Sequence, residues 1–247
     1  MIARNTRKHD DYTSLGRSAA PRRLYTRRVA GHIVAMGGLS EPVLRFALAL
    51  TERDRPRVAL LSTAGGDGDW GIMRVYELLS AHADIEAVRL FGVPDRPRDR
   101  LDAADAVVVP GGNTANMLAV WRVHGIDEAL EAAWRRGAVL AGWSAGANCW
   151  FESSVTDSYG PGLDPLHDGL GFLSGSFCPH YDSEELRRPV YRELVDAGFP
   201  PGRAADDDAA FHFEGTELRE VVSSQPDAKG YHVEPGAETP IAGRLVS

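Results

Sequence analysis

Residues 139–150 read Val-Leu-Ala-Gly-Trp-Ser-Ala-Gly-Ala-Asn-Cys-Trp: a short apolar strand, then Gly142-x-Ser144-x-Gly146, then helix-tolerant residues. This pattern describes a nucleophile elbow, a strand-to-helix turn so tight that the central side chain stands clear and the flanking positions have room for little beyond hydrogen. Ser144 then lies at a helix N-terminus, where free N–H groups and the helix dipole favour negative charge, and the N–H of Ala145 is placed to stabilise a tetrahedral oxyanion. The expected chemistry is acyl transfer.

A serine in that position needs a base to take its proton and a carboxylate to orient the base. Of the eight histidines, His180 in Phe177-Cys-Pro-His-Tyr-Asp182 has the best setting, because it follows a predicted strand and Pro179 stiffens its approach. His212 falls inside an apolar strand and reads as a core or surface residue, His9 lies in the basic leading segment, and His32, His82, His124, His167 and His232 lack a comparable setting. The carboxylate stays open at this point. Asp182 follows His180 by two residues, Asp206-Asp207-Asp208 immediately precede another strand, and Asp157 lies in the loop after the serine. The two cysteines, Cys149 and Cys178, give neither a disulfide framework nor metal-ligand spacing, so no metal or cofactor is expected and a reducing cytoplasm fits best.

The elements that must carry these residues alternate short apolar runs with helical patterns from about residue 29, the pattern of a parallel sheet covered on both faces. Strands are expected at 32–36, 57–62, 85–91 and 106–109, and in the apolar run from 139 that leads into the elbow. Helices are expected from a Ser40 cap with Pro42 in the first turn, through Met73, Tyr76 and Leu79, through Met117, Leu118 and Trp121, and over 127–136. Residues 153–175, rich in Ser, Gly, Asp and Pro, read as a long surface loop near the site. A strand at 176–178, a helix over 184–197 and strands at 209–213, 218–223 and 230–233 follow. In open α/β sheets ligands bind beyond the carboxyl ends of the strands, so the loops at Gly37, Ala64, Gly111 and Ser144 should frame the site.

With 247 residues, 43% hydrophobic, the chain is long enough to bury one sizeable core, so a single α/β domain over 29–247 is expected. Charge is unevenly spread. Residues 1–28 carry a net +6 and the remainder −14, so the leading segment reads as a flexible basic arm; the overall −8 argues against nucleic-acid binding. The arm has no apolar stretch of signal-peptide length, and no run of eighteen apolar residues occurs, so no membrane span is expected. A homodimer is compatible with such a fold.

Pro110-Gly-Gly-Asn-Thr114, Gly142-Trp-Ser-Ala-Gly-Ala-Asn148 and Pro179-His-Tyr-Asp182, in this order and spacing, resemble the dipeptidase E branch of the aspartyl dipeptidase and cyanophycinase family of serine peptidases, over roughly residues 30–235. The resemblance implies a class I glutamine amidotransferase-like, flavodoxin-like α/β fold with serine at the elbow. It implies Ser144 as nucleophile, His180 as base, and Gly112 and Ala145 as the oxyanion donors. Asp207 best matches the family's acid, and a different assignment points to Asp157. The substrate implied is a small peptide, a dipeptide with N-terminal aspartate. Arg187 falls where a substrate-gripping arginine lies, with Arg188 adjacent; a solvated helix face is the plain alternative. Asn113 and Thr114 either bind the substrate's amino end or cap the helix after them. The runners-up are a cyanophycinase-like isopeptidase, with Asp67, Asp69 or Glu184 meeting an arginine head, and a non-catalytic binding protein.

Overall fold

The computed structural model describes residues 31–247, and the basic segment expected as an arm over 1–28 lies outside them. The first half of the chain alternates as expected, with one helix, α3, beyond those expected: β1 (His32–Met36), α1 (Glu41–Ala49), β2 (Arg57–Leu60), α2 (Asp69–Leu79), β3 (Asp84–Ala87), α3 (Pro97–Ala103), β4 (Ala106–Val109), α4 (Thr114–His124), α5 (Ile126–Arg136), β5 (Val139–Trp143) and the short α6 (Ala145–Asn148). The second half runs β6 (Phe151–Thr156), β7 (Asp164–Leu166), β8 (Leu173–Cys178), α7 (Arg187–Asp196), β9 (Gly202–Ala205), β10 (Ala209–Glu214), β11 (Glu217–Ser223), β12 (Lys229–Glu234), β13 (Ala237–Ala242) and β14 (Arg244–Leu245).

The larger sheet has the order β14-β11-β10-β1-β5-β4-β2-β3. Its centre, from β1 through β5, β4 and β2 to β3, is parallel, while β10 and β11 continue it antiparallel. Near-continuous apolar runs fit strands covered on both sides: Val107, Val108 and Val109 are wholly buried. One face packs Val43 and Leu44 of α1 with Ile72, Val75 and Leu79 of α2. The other face packs α3, α4 and α5 together with α6 and the aromatic side chains Phe151 and Phe177 of a second sheet. No helix among the described residues is long and apolar enough to cross a membrane.

That second sheet, ordered β13-β12-β9-β8-β6-β7, corrects the loop expected over 153–175. The segment contributes to three strands, and its small polar residues Ser153, Ser154 and Thr156 are buried. Serine and threonine in place of aliphatic residues hide the alternation by which half-buried strands are recognised. Two smaller differences have equally local causes. The strand expected to reach residue 91 ends at Ala87, because Asp67 Oδ2 accepts the N–H groups of Leu90 and Phe91 at 2.5 and 2.9 Å and draws the chain out of the ladder. Ser40 precedes α1 without capping it; its hydroxyl instead hydrogen-bonds the Ser224 hydroxyl at 2.7 Å.

Where β1 meets β10, the two sheet halves join through a histidine pair. His32 Nδ1 lies 3.0 Å from His212 Nε2, with Glu220 3.5 Å from the far nitrogen of His212. Burial pushes both imidazoles below their ordinary value of 6.5, although Glu214 and Glu220 pull the other way. Both are therefore neutral in the folded protein at pH values where the unfolded chain already takes up protons. Stability is fully present above pH 6.5 and declines as pH falls below it. The midpoint of thermal unfolding should accordingly drop between pH 7 and 5.5, and His212→Gln should flatten that slope in a pH series of melting curves; an unchanged slope would assign the dependence to other groups.

Candidate active site

β5 ends at Trp143 and α6 begins at Ala145, so Ser144 is the whole of the turn between them. Its backbone sits at φ 54 and ψ −118, a conformation that costs a non-glycine residue and persists only when its surroundings enforce it. The enforcement is close packing. A Cβ on Gly142 would lie 2.2 Å from the Gly146 carbonyl oxygen, and one on Gly146 only 1.9 Å from that of Val109 in β4. Gly111 is bare for a related reason, since its Cβ would stand 3.0 Å from that of Ser144. The Ser144 carbonyl accepts from the N–H groups of Ala147 and Asn148, both at 2.9 Å, which anchors the start of α6.

Gly112 follows at φ 137, pressed so closely on Ala64 that a side chain would meet the Ala64 carbonyl oxygen at 2.3 Å. The next N–H, that of Asn113, donates to the same carbonyl at 2.9 Å. Ala145 opens a helix, and the first N–H groups of a helix have no partner within it. Gly112 and Ala145 thus bracket Ser144 from the ends of neighbouring strands β4 and β5.

His180 ends the approach from β8 and is also left-handed, at φ 53. Its Nδ1 lies 2.7 Å from Asp207 Oδ1. Asp207 sits in the crossing from β9 of the second sheet to β10 of the first, and its own N–H donates to Asp182 Oδ1 at 2.8 Å. The hydrogen bond from His180 holds the Asp207 carboxyl below its ordinary value, with Ser183 adding to the effect against partial burial. Gly37 and Gly38 make the crossing possible. A Cβ on Gly38 would lie 2.3 Å from Asp207 Oδ1, and one on Gly37 2.2 Å from the Asp206 carbonyl.

The three consecutive aspartates have three different settings. Asp206 is buried, with Oδ2 accepting from the Lys229 N–H at 2.9 Å and the Tyr231 hydroxyl at 3.2 Å, and burial raises its pKa. Asp207 meets His180, and Asp208 accepts from the Ser224 hydroxyl at 2.7 Å. Asp182 is thus a partner of the Asp207 backbone, while Asp157 is exposed beyond the end of β6.

The remaining predicted residues are largely engaged within the protein. Asn113 caps α4, its Oδ1 accepting from Asn116 N–H at 2.8 Å, and its amide donates to the Ser158 carbonyl at 3.0 Å. Thr114 is buried, 3.5 Å from both Asn148 Nδ2 and the Thr156 hydroxyl. Arg187 does not lie on a solvated face: it is 3% exposed, donating from Nε to Glu184 at 2.6 Å and from Nη1 to the Val155 carbonyl at 3.1 Å. Arg188 pairs with Glu238 and lies over the Tyr181 and Tyr231 rings. Of the acidic residues considered for an arginine head, Asp69 pairs with Arg89 and Glu184 with Arg187, while Asp67 is buried, its Oδ2 taken by backbone N–H groups and its Oδ1 without a partner among the described residues. Sequence reasoning missed the support given by Asp182 and Ser183, and the signal for it was the density of acceptors in Asp182-Ser183-Glu184.

Residues 31–221 match the family model of Peptidase family S51. The chain belongs to this family. It is a serine-type peptidase. It is 44% identical over 211 residues to the uncharacterized peptidase YgaJ of Bacillus subtilis, a match covering 81% of this chain and 91% of that one. It is 31% identical over 183 residues to peptidase E of Streptomyces coelicolor, covering 70% and 73%. In fold it resembles a peptidase from an acI-B1 actinobacterium, with a TM-score of 0.65 at 17% identity over 87% of this chain and 96% of that chain. A putative peptidase E from Listeria monocytogenes EGD-e aligns with a TM-score of 0.62 at 16% identity, over 79% and 99%.

The S51 turn has a consequence for stability that needs no substrate to observe. Gly146→Ala forces a methyl group into the β4 backbone and should cost about 1–3 kcal/mol through overpacking. A lowered melting temperature together with lost peptide hydrolysis is expected; a variant that kept both would show that β4 and α6 separate more easily than their contact implies.

Proposed function

We propose that this S51 peptidase hydrolyses short peptides, foremost dipeptides with N-terminal aspartate, through a Ser144-His180-Asp207 triad and an acyl-enzyme. His180 takes the Ser144 proton, Ser144 Oγ attacks the amide carbonyl, and the N–H groups of Gly112 and Ala145 hold the oxyanion. The protonated imidazole then gives its proton to the leaving amine, and water, deprotonated by the same imidazole, releases the acyl group. Asp207 fixes the tautomer that leaves His180 Nε2 free to accept.

The observation that carries this reading is the 2.7 Å contact between His180 Nδ1 and Asp207 Oδ1, made on the only one of the five weighed acid positions that meets the histidine. For the aspartyl end, support comes from Arg187. Two of its nitrogens are used within the protein, and Nη2, which makes no hydrogen bond among the described residues, is the end available to a substrate carboxylate. The isopeptidase alternative loses ground because Asp69 and Glu184 already pair with arginines of the protein and Asp67 is buried beneath the Leu90 and Phe91 backbone.

The deciding experiment compares hydrolysis of Asp-Leu, Glu-Leu, Ala-Leu and β-Asp-Arg by the purified protein, with Ser144→Ala as the blank. Cleavage of Asp-Leu above the others, absent from the blank, is expected. Cleavage of β-Asp-Arg alone would transfer the chain to isopeptides, and turnover equal to the blank would end the serine mechanism. Among the acids, Asp207→Asn should lower kcat by about 10³–10⁴-fold, as losing the tautomer-fixing carboxylate does in such triads. Asp182→Asn, which keeps an acceptor for the Asp207 N–H, should cost far less, and Asp157→Asn nothing measurable; the reverse order would move the acid.

A further inference from the structure

Beside the Ser144 turn, on the side of the sheet packed by α2, lies a cleft of 390 Å³ that the chemistry described above does not use. Two of its lining residues adjoin the serine: Trp143 immediately precedes it, and Gly111 is so close that a Cβ there would lie 3.0 Å from the Ser144 Cβ and 3.4 Å from Trp143 Nε1. The cleft therefore adjoins the reacting centre. Its walls are Leu39, Trp70, Pro110 and Trp143. Trp70 is 82% exposed, a large apolar side chain held in water at the first turn of α2 with nothing packed over it. Large apolar surface left bare at the edge of a cleft marks a binding site more often than chance exposure. Space for a ligand is provided by small residues, among them Gly71, where a Cβ would crowd the Ser62 hydroxyl at 3.2 Å.

The single charged residue lining this cleft is Arg74, one turn beyond Trp70 on α2. Its partner is Glu77 at 3.3 Å, and both side chains are about half exposed, so the pair is weak and a stronger anion can displace it. An apolar chamber with one arginine at its side fits a residue that carries both an apolar side chain and a carboxylate. In a dipeptide that residue is the C-terminal one. An N-terminal aspartate brings a carboxylate but only one methylene, too little to fill the space.

We propose that this cleft receives the C-terminal residue of the substrate, its apolar side chain between Leu39, Trp70 and Trp143 and its α-carboxylate on Arg74. The assignment rests on the dipeptidase reading and deepens it. Short peptides ending in leucine or phenylalanine are the favoured class, and a free C-terminus is part of what is recognised.

Calorimetric titration of the Ser144→Ala protein, which binds without turnover, tests this with four ligands: Asp-Leu, Asp-Ala, Asp-leucinamide and Ala-Leu. Asp-Leu should bind about tenfold or more tightly than Asp-Ala, in line with what an apolar pocket gains from added methylene groups, and more tightly than Asp-leucinamide. Adding Trp70→Ala should collapse the leucine-over-alanine preference, and adding Arg74→Ala should collapse the acid-over-amide preference. Both positions are exposed, so the fold survives either change, which melting curves verify. Equal binding of Asp-Leu and Asp-Ala, or preferences that persist in both variants, would overturn the cleft assignment while leaving wild-type hydrolysis intact. A change confined to Asp-Leu against Ala-Leu would also overturn it, by assigning the cleft to the N-terminal residue. Binding of none of the four, with no hydrolysis by the wild type, would end both readings.

Discussion

Everything at this site depends on how closely β4 and the turn at Ser144 approach each other. The Val109 carbonyl stands where any side chain on Gly146 would have to be, and Gly142 and Gly146 are in turn too close to admit one. That contact drives the chain from β5 straight into α6 and leaves Ser144 no conformation but the strained one at φ 54. Strain of this kind costs ~1–3 kcal/mol and is sustained by the packing around it. Here the supply is the central parallel sheet, whose β4 is buried throughout and whose β5 is buried up to Trp143.

The same economy governs the opposite side of the site, where two sheets meet. Asp207 belongs to neither sheet; it lies in the three-residue crossing between β9 and β10, so its position is a function of how the sheets are set against each other. Several bonds fix that setting. Asp206 ties the crossing to β12 through Lys229 and Tyr231, Asp208 ties it to the β1–α1 loop through Ser224 and Ser40, and Tyr181 N–H donates to the Ala205 carbonyl at 3.1 Å. Of the six non-glycine residues with positive φ among the described residues, three are Ser144, His180 and Asp208. Half of the strained non-glycine backbone thus lies where side chains of the site are aimed.

The first half of the fold was legible because its strands are runs of valine, alanine and leucine and its helices carry apolar stripes; the spans of β1 and β4 follow directly from His32-Ile-Val-Ala-Met36 and Ala106-Val-Val-Val109. The second sheet was not. Its strand β6 reads Phe-Glu-Ser-Ser-Val-Thr, without an apolar alternation, and in the neighbouring β8 the buried Ser176 hydroxyl finds a partner that only the tertiary structure supplies, Tyr191 at 2.7 Å. The site shows the same division. Ser144 is announced by glycines at fixed spacing in one segment, and His180 by the residues that flank it. The choice among Asp157, Asp182 and Asp207 is a question about distances between segments up to fifty residues apart in the chain, which no local pattern contains.

Polar residues near the turn illustrate why a site residue's type does not reveal its task. Asn113, Thr114 and Arg187 are the kinds of side chain that bind peptides, yet each spends hydrogen bonds on the protein itself. Arg187 is the clearest case. Its bond to Val155 joins α7 to β6, and Glu184, which it also holds, donates its N–H to the carbonyl of His180 at 3.1 Å. The arginine therefore braces the turn on which the histidine stands. A buried guanidinium fixed on two edges by protein partners has lost its freedom to follow a substrate, and what it gains is a defined direction for the edge that remains. Recognition by such a group is selective in geometry and poor in adaptability, whereas the exposed Arg74, held only by Glu77, has the reverse properties. In the proposed binding mode a peptide between the two would be placed by the buried arginine, and the exposed one would meet its far end.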